Sequence, residues 1–237
     1  MTPSRSYIVW FSQRVGSTLL AQALEDTGVA GRPREWLTDH AGAGLLAMYG
    51  VRDAAALRDA LWREGTTPNG VFGAKYGPTP AGLAATTALF ATLDPTAPWA
   101  AVFPRCQHVF MTRRDKLRLA VSWWRAIQSG VWHRPNGEAP PASPLDLVDR
   151  YDRIAIDHLI REAGEREAAI HDQLAQWGVV PHTIVYEDLI ARFEPTVREV
   201  LAFLELPAPA AIPAPAFAPL ADAVSETWVE RYRSGLA

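Results

Sequence analysis

The chain has 237 residues, 49% of them hydrophobic and 21% charged, values that suit a soluble globular α/β chain with a sizeable core. A net charge of −3 offers no basic field for nucleic acid, so any anion site has to be local. The lone cysteine, Cys106, excludes an internal disulfide and a cysteine-built metal site, and no apolar run reaches the ~20 residues of a membrane span.

At the N-terminus, MTPSRSYIVWF carries too short an apolar run for a signal peptide, so a cytoplasmic location is expected. Tyr7 to Phe11 is wholly apolar and β-prone, as in a strand buried on both faces. Ser12 to Gly16 breaks the run with small and polar residues. From Ser17 onward, Leu19, Leu20, Ala23 and Leu24 fall at helical spacing. A strand, a small-residue turn and a helix N-terminus together aim backbone N–H groups and a helix dipole at one point, which suits an anion. The turn is not that of an ATPase. Against G-x-x-x-x-G-K-[ST], Gly16 and Thr18 fit, but Phe11 replaces the first glycine and Ser17 the lysine. Arg14 is the nearest replacement cation, with Gln13 beside it.

Further along, Val71–Lys75 predicts a short strand, followed by a helix over Ala81–Leu93. His108–Thr112 predicts a stronger strand, followed by a helix from about Asp115 to Ser129. Pro144–Trp177 reads as a long helical stretch, broken into two near Gly164, with Asp149, Arg153, Arg161, Glu165 and Arg166 on a solvated face. His182–Tyr186 predicts a further strand, then a polar turn and a helix over Thr196–Leu204. Pro/Ala-rich tracts at Asp94–Pro104, Pro135–Pro144 and Leu206–Pro219 read as loops. The alternation predicts one domain over residues 1–237: a P-loop-like three-layer α/β sandwich whose mainly parallel sheet is covered by helices on both faces. Chemistry in such a sheet gathers at the carboxyl ends of its strands.

A second anion point follows the strand HVFMT. Arg113 and Arg114 stand at its exit, and Ser122 lies eight positions after Arg114, just over two helical turns. An arginine folding back onto Ser122 would hold one phosphate. Two separate anion points fit a nucleotide phosphorylated at both ends of its ribose, as in 3′-phosphoadenosine 5′-phosphosulfate (PAPS). On these residues the chain resembles the PAPS-dependent sulfotransferases: QRVGSTLL is similar to their 5′-phosphosulfate loop, and RRDKLRLAVSWWRA to their 3′-phosphate motif, with Arg114 and Ser122 on the matching positions. VYEDL (Val185–Leu189) is similar to a strand-end signature that lies beside the nucleotide and includes Tyr186. TGVAGRPREWL, TPNGVFGAK and SETWVERYR extend the likeness to the bacterial trehalose 2-sulfotransferase family.

The resemblance implies PAPS as co-substrate without a metal, and a hydroxyl of a sugar, glycolipid or glycoside as acceptor. It implies contacts to the nucleotide from Gln13, Arg14, Gly16, Ser17, Thr18, Arg114, Ser122 and Tyr186, and it implies a homodimer. By the same likeness Glu35 of GRPRE is the general base, Arg14 replaces a loop lysine, and Lys75 matches a lysine near the sulfuryl group. Among Gln13, Trp36, Trp123, Trp124, Gln128 and Trp132, the last tryptophan and Trp36 are favoured as acceptor contacts. Lys75 and Lys116 are the two lysines among 23 basic residues; where arginine so displaces lysine, a lysine kept in an apolar setting is expected to sit where a compact ammonium is needed. The chain is shorter than that family between Glu35 and Thr67, where its acceptor pocket is built, and its Pro219–Asp222 run lacks the family's basic and amide groups. Two alternatives stay open on the residues alone: a P-loop small-molecule kinase, which the missing lysine disfavours, and a non-catalytic nucleotide-binding relative.

Overall fold

The computed structural model describes residues 1–37, 43–138, 147–218 and 220–235. Among them, strands Arg5–Phe11 (β1), Val71–Tyr76 (β2), Cys106–Thr112 (β3) and His182–Val185 (β4) form a sheet in the order β2-β1-β3-β4, every pairing parallel. The helices are Ser17–Asp26 (α1), Ala43–Tyr49 (α2), Ala54–Gly65 (α3), Pro80–Ala91 (α4), Lys116–Ser129 (α5), Arg153–Gln176 (α6), Tyr186–Ala191 (α7), Phe193–Phe203 (α8) and Ala223–Ser234 (α9).

Strand β1 is apolar throughout its centre because both of its faces are covered; Tyr7 to Trp10 are at most 1% exposed. The two-residue pleat divides its side chains between two cores. Tyr7, Val9 and Phe11 join Val109 and Met111 against α1, α5 and α8. Ile8 and Trp10 join Phe72 and Phe110 against α3, α4 and the C-terminal half of α6. Each such large apolar side chain contributes about 1.5–3 kcal/mol on burial. Sheet and helices thus make the three-layer arrangement that the alternation predicts.

Helix starts follow their caps. Asp53, Thr79, Asp115, Asp152 and Asp222 each accept a hydrogen bond from the backbone of the first turn that follows, typically ~1 kcal/mol apiece. Helix α1 is different: its N-cap is Gly16, and no side chain caps it.

The structure corrects several sequence expectations. Helices α2 and α3 were not anticipated. Helix α6 runs unbroken through Gly164, where an added Cβ would meet nothing within 4 Å; an open mid-helix glycine costs about 1 kcal/mol relative to alanine without breaking the helix. Arg166 is buried rather than solvated, bonded to Glu162 and the Gly77 carbonyl and lying 5.3 Å from the Trp123 ring. Tyr186 opens α7 instead of ending β4. The expected loop at Pro135–Pro144, the helical start at Pro144 and the Pro219 position fall partly or wholly outside the described residues.

Candidate active site

The parallel sheet sends the turns after β1 and β3 out at the same edge, and a cavity of about 470 Å³ opens there. That volume lies within the range of ligand pockets, about 300–1,000 Å³. Its floor is the start of α1. Gly16 has φ 79°, and an added Cβ would stand 2.8 Å from Cδ2 of Tyr186. The turn needs glycine both for the left-handed backbone and for the close approach of that ring. Without a side-chain cap, the first-turn N–H groups of α1 are left for a ligand.

Arg14, inside the turn, is held at φ 63°, a left-handed conformation that costs a non-glycine residue roughly 1–2 kcal/mol. Its side chain spans the cavity, donating from Nε to Ser122 Oγ at 3.0 Å and from a terminal nitrogen to the Trp132 carbonyl at 2.7 Å. Burial, together with Arg113 and Arg125, pulls its pKa down to about 10. Arg14, Arg113, Arg118, Arg125 and Arg134 line the cavity, whereas Glu35 is the one lining carboxylate among the described residues. Helix α9 and its cap offset two of those cations, Glu226 pairing with Arg118 and Asp222 with Arg125. Even so, the cavity is strongly cationic inside a chain of net charge −3.

Opposite Arg14 lies the Lys75–Glu35 pair. Gly31, at φ 71°, lets the 31–36 segment lie against β2, where a Cβ would come within 3.0 Å of the Gly73 nitrogen and the Val71 carbonyl oxygen. Arg34 then bridges to Ala74, and Lys75 N donates to the Arg34 carbonyl at 2.9 Å. That registers Glu35 beside Lys75, with Nζ to Oε1 at 2.6 Å. Lys75 is 8% exposed, and its Nζ also donates to Thr18 Oγ1 at 2.8 Å. The arginines flanking Glu35 are engaged elsewhere: Arg34 pairs with Glu25, and Arg32 reaches the Glu64 carbonyl.

Of the residues singled out in the sequence, Gln13, Arg14, Gly16, Ser17, Thr18, Glu35, Ser122, Trp132 and Tyr186 line this one cavity, and Lys75 reaches it through Glu35. Two candidates do not. Arg114 sits at the rim, 62% exposed and paired with Asp188 at 3.0 Å. Arg113, not Arg114, lines the cavity, because it continues the Val109–Met111 face covered by α1; its guanidinium lies 4.5 Å from the Tyr186 ring. Ser122 accordingly meets Arg14, not Arg114. Trp36 lies outside the cavity and spends its indole N–H on the Arg32 and Gly73 carbonyls, each at 2.9 Å. Sequence reasoning also passed over Arg118 and Arg125, although with Ser122 they make an i, i+4, i+7 stripe on α5. His133, given no role from sequence, lines the cavity, with its pKa lowered by burial and by Arg14 and Lys75. Pro215, Phe217 and Ala218 form one wall, tied to the 132–136 segment by Ala218 N donating to the Arg134 carbonyl at 3.0 Å. Among the described residues, no group of three or more His, Cys, Asp or Glu side chains is placed to hold a metal ion. None of the described helices is long and apolar enough to cross a membrane.

A helix amide terminus and an arginine rim over a parallel sheet belong to an enzyme that handles the anionic group of a small molecule. The Stf0 sulphotransferase family model matches residues 6–235, and the chain belongs to that family and is a sulfotransferase. It is 31% identical to the trehalose 2-sulfotransferase of Mycobacterium tuberculosis, over 97% of this chain and 95% of that one. It is 30% identical to the trehalose 2-sulfotransferase of Mycolicibacterium smegmatis, over 96% and 94%. Among solved structures, the sulfotransferase domain of the curacin biosynthetic pathway superposes with a TM-score of 0.51 at 18% identity, covering 96% of this chain and 83% of that one. The sulfotransferase of Alicyclobacillus acidocaldarius gives 0.50 at 12%, covering 97% and 92%. These two support the fold.

Proposed function

We propose that the protein transfers the sulfuryl group of PAPS to a hydroxyl of a carbohydrate, glycolipid or glycoside, with Glu35 as general base. The observation that carries this reading is the position of one ammonium: Lys75 Nζ bonds both Thr18, in the anion turn, and Glu35, the proposed base. Donor loop and base are thereby held one side chain apart.

Glu35 takes the proton of the acceptor hydroxyl, whose oxygen attacks sulfur in line as the bond from sulfur to the 5′-phosphate oxygen breaks. Charge grows on that leaving oxygen, where the N–H groups of Gly16 to Thr18 and the Arg14 guanidinium stabilise it. The reaction asks for positioning and charge neutralisation, as phosphoryl transfer does, and the sulfuryl oxygens share a single negative charge. Arg113 and Ser122 hold the 3′-phosphate, with Tyr186 packed between Arg113 and Gly16. On the acceptor side, Trp132 offers an aromatic face to a sugar ring and Gln13 an amide to its hydroxyls. Trehalose, the acceptor named for the two curated relatives, is the first sugar to test, and the assembly tested is the homodimer that the family likeness suggests.

Calorimetry should detect 3′-phosphoadenosine 5′-phosphate, while Mg²⁺–ATP should not raise the melting temperature. Transfer of radiolabelled sulfate should then be screened across sugars, glycolipids and glycosides. Glu35→Gln should lower turnover about 10²–10⁴-fold with the fold intact. Stabilisation by Mg²⁺–ATP with no response to the bisphosphate would replace this reading with a kinase.

A further inference from the structure

At the carboxyl ends of β1 and β3 lies a polar cluster that the proposed chemistry does not use. Glu167, near the middle of α6, accepts from Ser12 Oγ at 3.0 Å and from Thr112 Oγ1 at 3.1 Å. It also accepts from Lys116 Nζ on both carboxylate oxygens, at 2.6 and 2.7 Å, while the same ammonium donates to Thr112 Oγ1 at 2.9 Å. Ser12 is fully buried, and the Glu167 side chain is 14% exposed.

Placement makes this cluster more than packing. Ser12 continues the Ile8–Trp10 face of β1 as it leaves the sheet, and Thr112 ends β3 on the same face as Phe110. The two strands are neighbours in register, Phe11 opposite Met111. Two residues beyond Ser12 stands Arg14, and one beyond Thr112 stands Arg113, whose guanidinium reaches the Arg14 carbonyl at 3.5 Å. One carboxylate therefore ties the roots of both cationic turns. Lys116 breaks a local rule to complete it, because a cation in the first turn of α5 opposes the helix dipole. Such local costs concentrate at functional sites.

We propose that Glu167, held by Lys116, is a positioning residue that sets the separation of Arg14 and Arg113, and with it the fit of a nucleotide bearing two phosphates. The proposal rests on the donor reading above. Two anion points bound by one molecule reinforce each other only while their spacing matches it.

The test is calorimetry on wild-type protein, Glu167→Gln and Ser12→Ala, each titrated with 3′-phosphoadenosine 5′-phosphate and with adenosine 5′-phosphate. Wild type should prefer the bisphosphate. In both variants that preference should shrink about tenfold, while affinity for the monophosphate changes less than twofold. A purely structural role would lower the melting temperature and leave the ratio alone, which overturns the proposal. Should Glu167→Gln fail to fold, Ser12→Ala decides the matter, since it removes one tie and little volume. Wild type that binds neither nucleotide sinks the donor reading instead, a result distinct from an unchanged ratio.

Discussion

Lys75 donates to Thr18 across 2.8 Å, joining the end of β2 to the first turn of α1 from a nearly fully buried position. With Glu35 on the same ammonium at 2.6 Å, there is room for a compact charge and little for a flat one. Lys75→Arg should therefore lower kcat at least about tenfold while the protein stays folded. Steady-state kinetics beside a circular dichroism melt checks this, and unchanged kinetics would show that only the charge matters.

Arg113 and Arg114 are adjacent in sequence and unequal in expected effect. Removing a charged hydrogen-bond donor from a bound anion costs about 1.5–3 kcal/mol. Arg113→Ala should thus weaken 3′-phosphoadenosine 5′-phosphate by roughly 10–100-fold. Arg114→Ala, which loses an exposed pair with Asp188, should leave it within about twofold. Titration of both variants separates them; equal losses would put both guanidiniums on the ligand.

Gly16 has no tolerated replacement at φ 79° against the Tyr186 ring. Gly16→Ala should cost roughly 1–3 kcal/mol, combining backbone strain with a displaced ring. For a chain of this length, that lowers Tm by about 2–4 °C per kcal/mol. Differential scanning calorimetry measures it, and a Tm equal to that of wild type would mean that the turn relaxes out of its left-handed conformation and the Tyr186 ring yields without cost.

His108 gives the fold a defined response to acid. Its ring is buried, its Nδ1 accepts from Trp10 Nε1 at 3.0 Å, and burial lowers its pKa from the ordinary 6.5 to about 4. Between those values the unfolded chain takes up a proton that the native chain refuses. The contribution is present in full above pH 6.5, falls as pH drops, and is lost below about pH 4. The whole effect is about 3 kcal/mol. Urea denaturation across that window should show the decline, and His108→Gln, which keeps an acceptor for Trp10, should flatten it. An equal slope in the variant would assign the acid response elsewhere.

Much of this was legible along the chain because it is local. The apolar run of β1, the small-residue turn and the periodicity of α1 lie within Tyr7 to Leu24, and short-range sterics decide them. Glu35 and Lys75 could be named by type and motif. Their contact could not, since it depends on Gly31 letting a loop lie along β2. That Arg113 rather than Arg114 lines the cavity turned on the pleat at the exit of β3, a matter of one residue that composition does not register. Arg166 read as a solvated charge because helical periodicity locates a face without saying what packs there; Trp123 and the Gly77 carbonyl supply the partners.

The alternation of strands and helices, the small-residue turn after β1 and the chemical types within it were settled by sequence, since each follows from the backbone preferences and polarity of neighbouring residues. Which arginine turns inward, which carboxylate meets the lysine, and how Glu167 ties two strand ends were settled only on folding. Those relations join side chains distant in sequence, and only the sheet register brings them together.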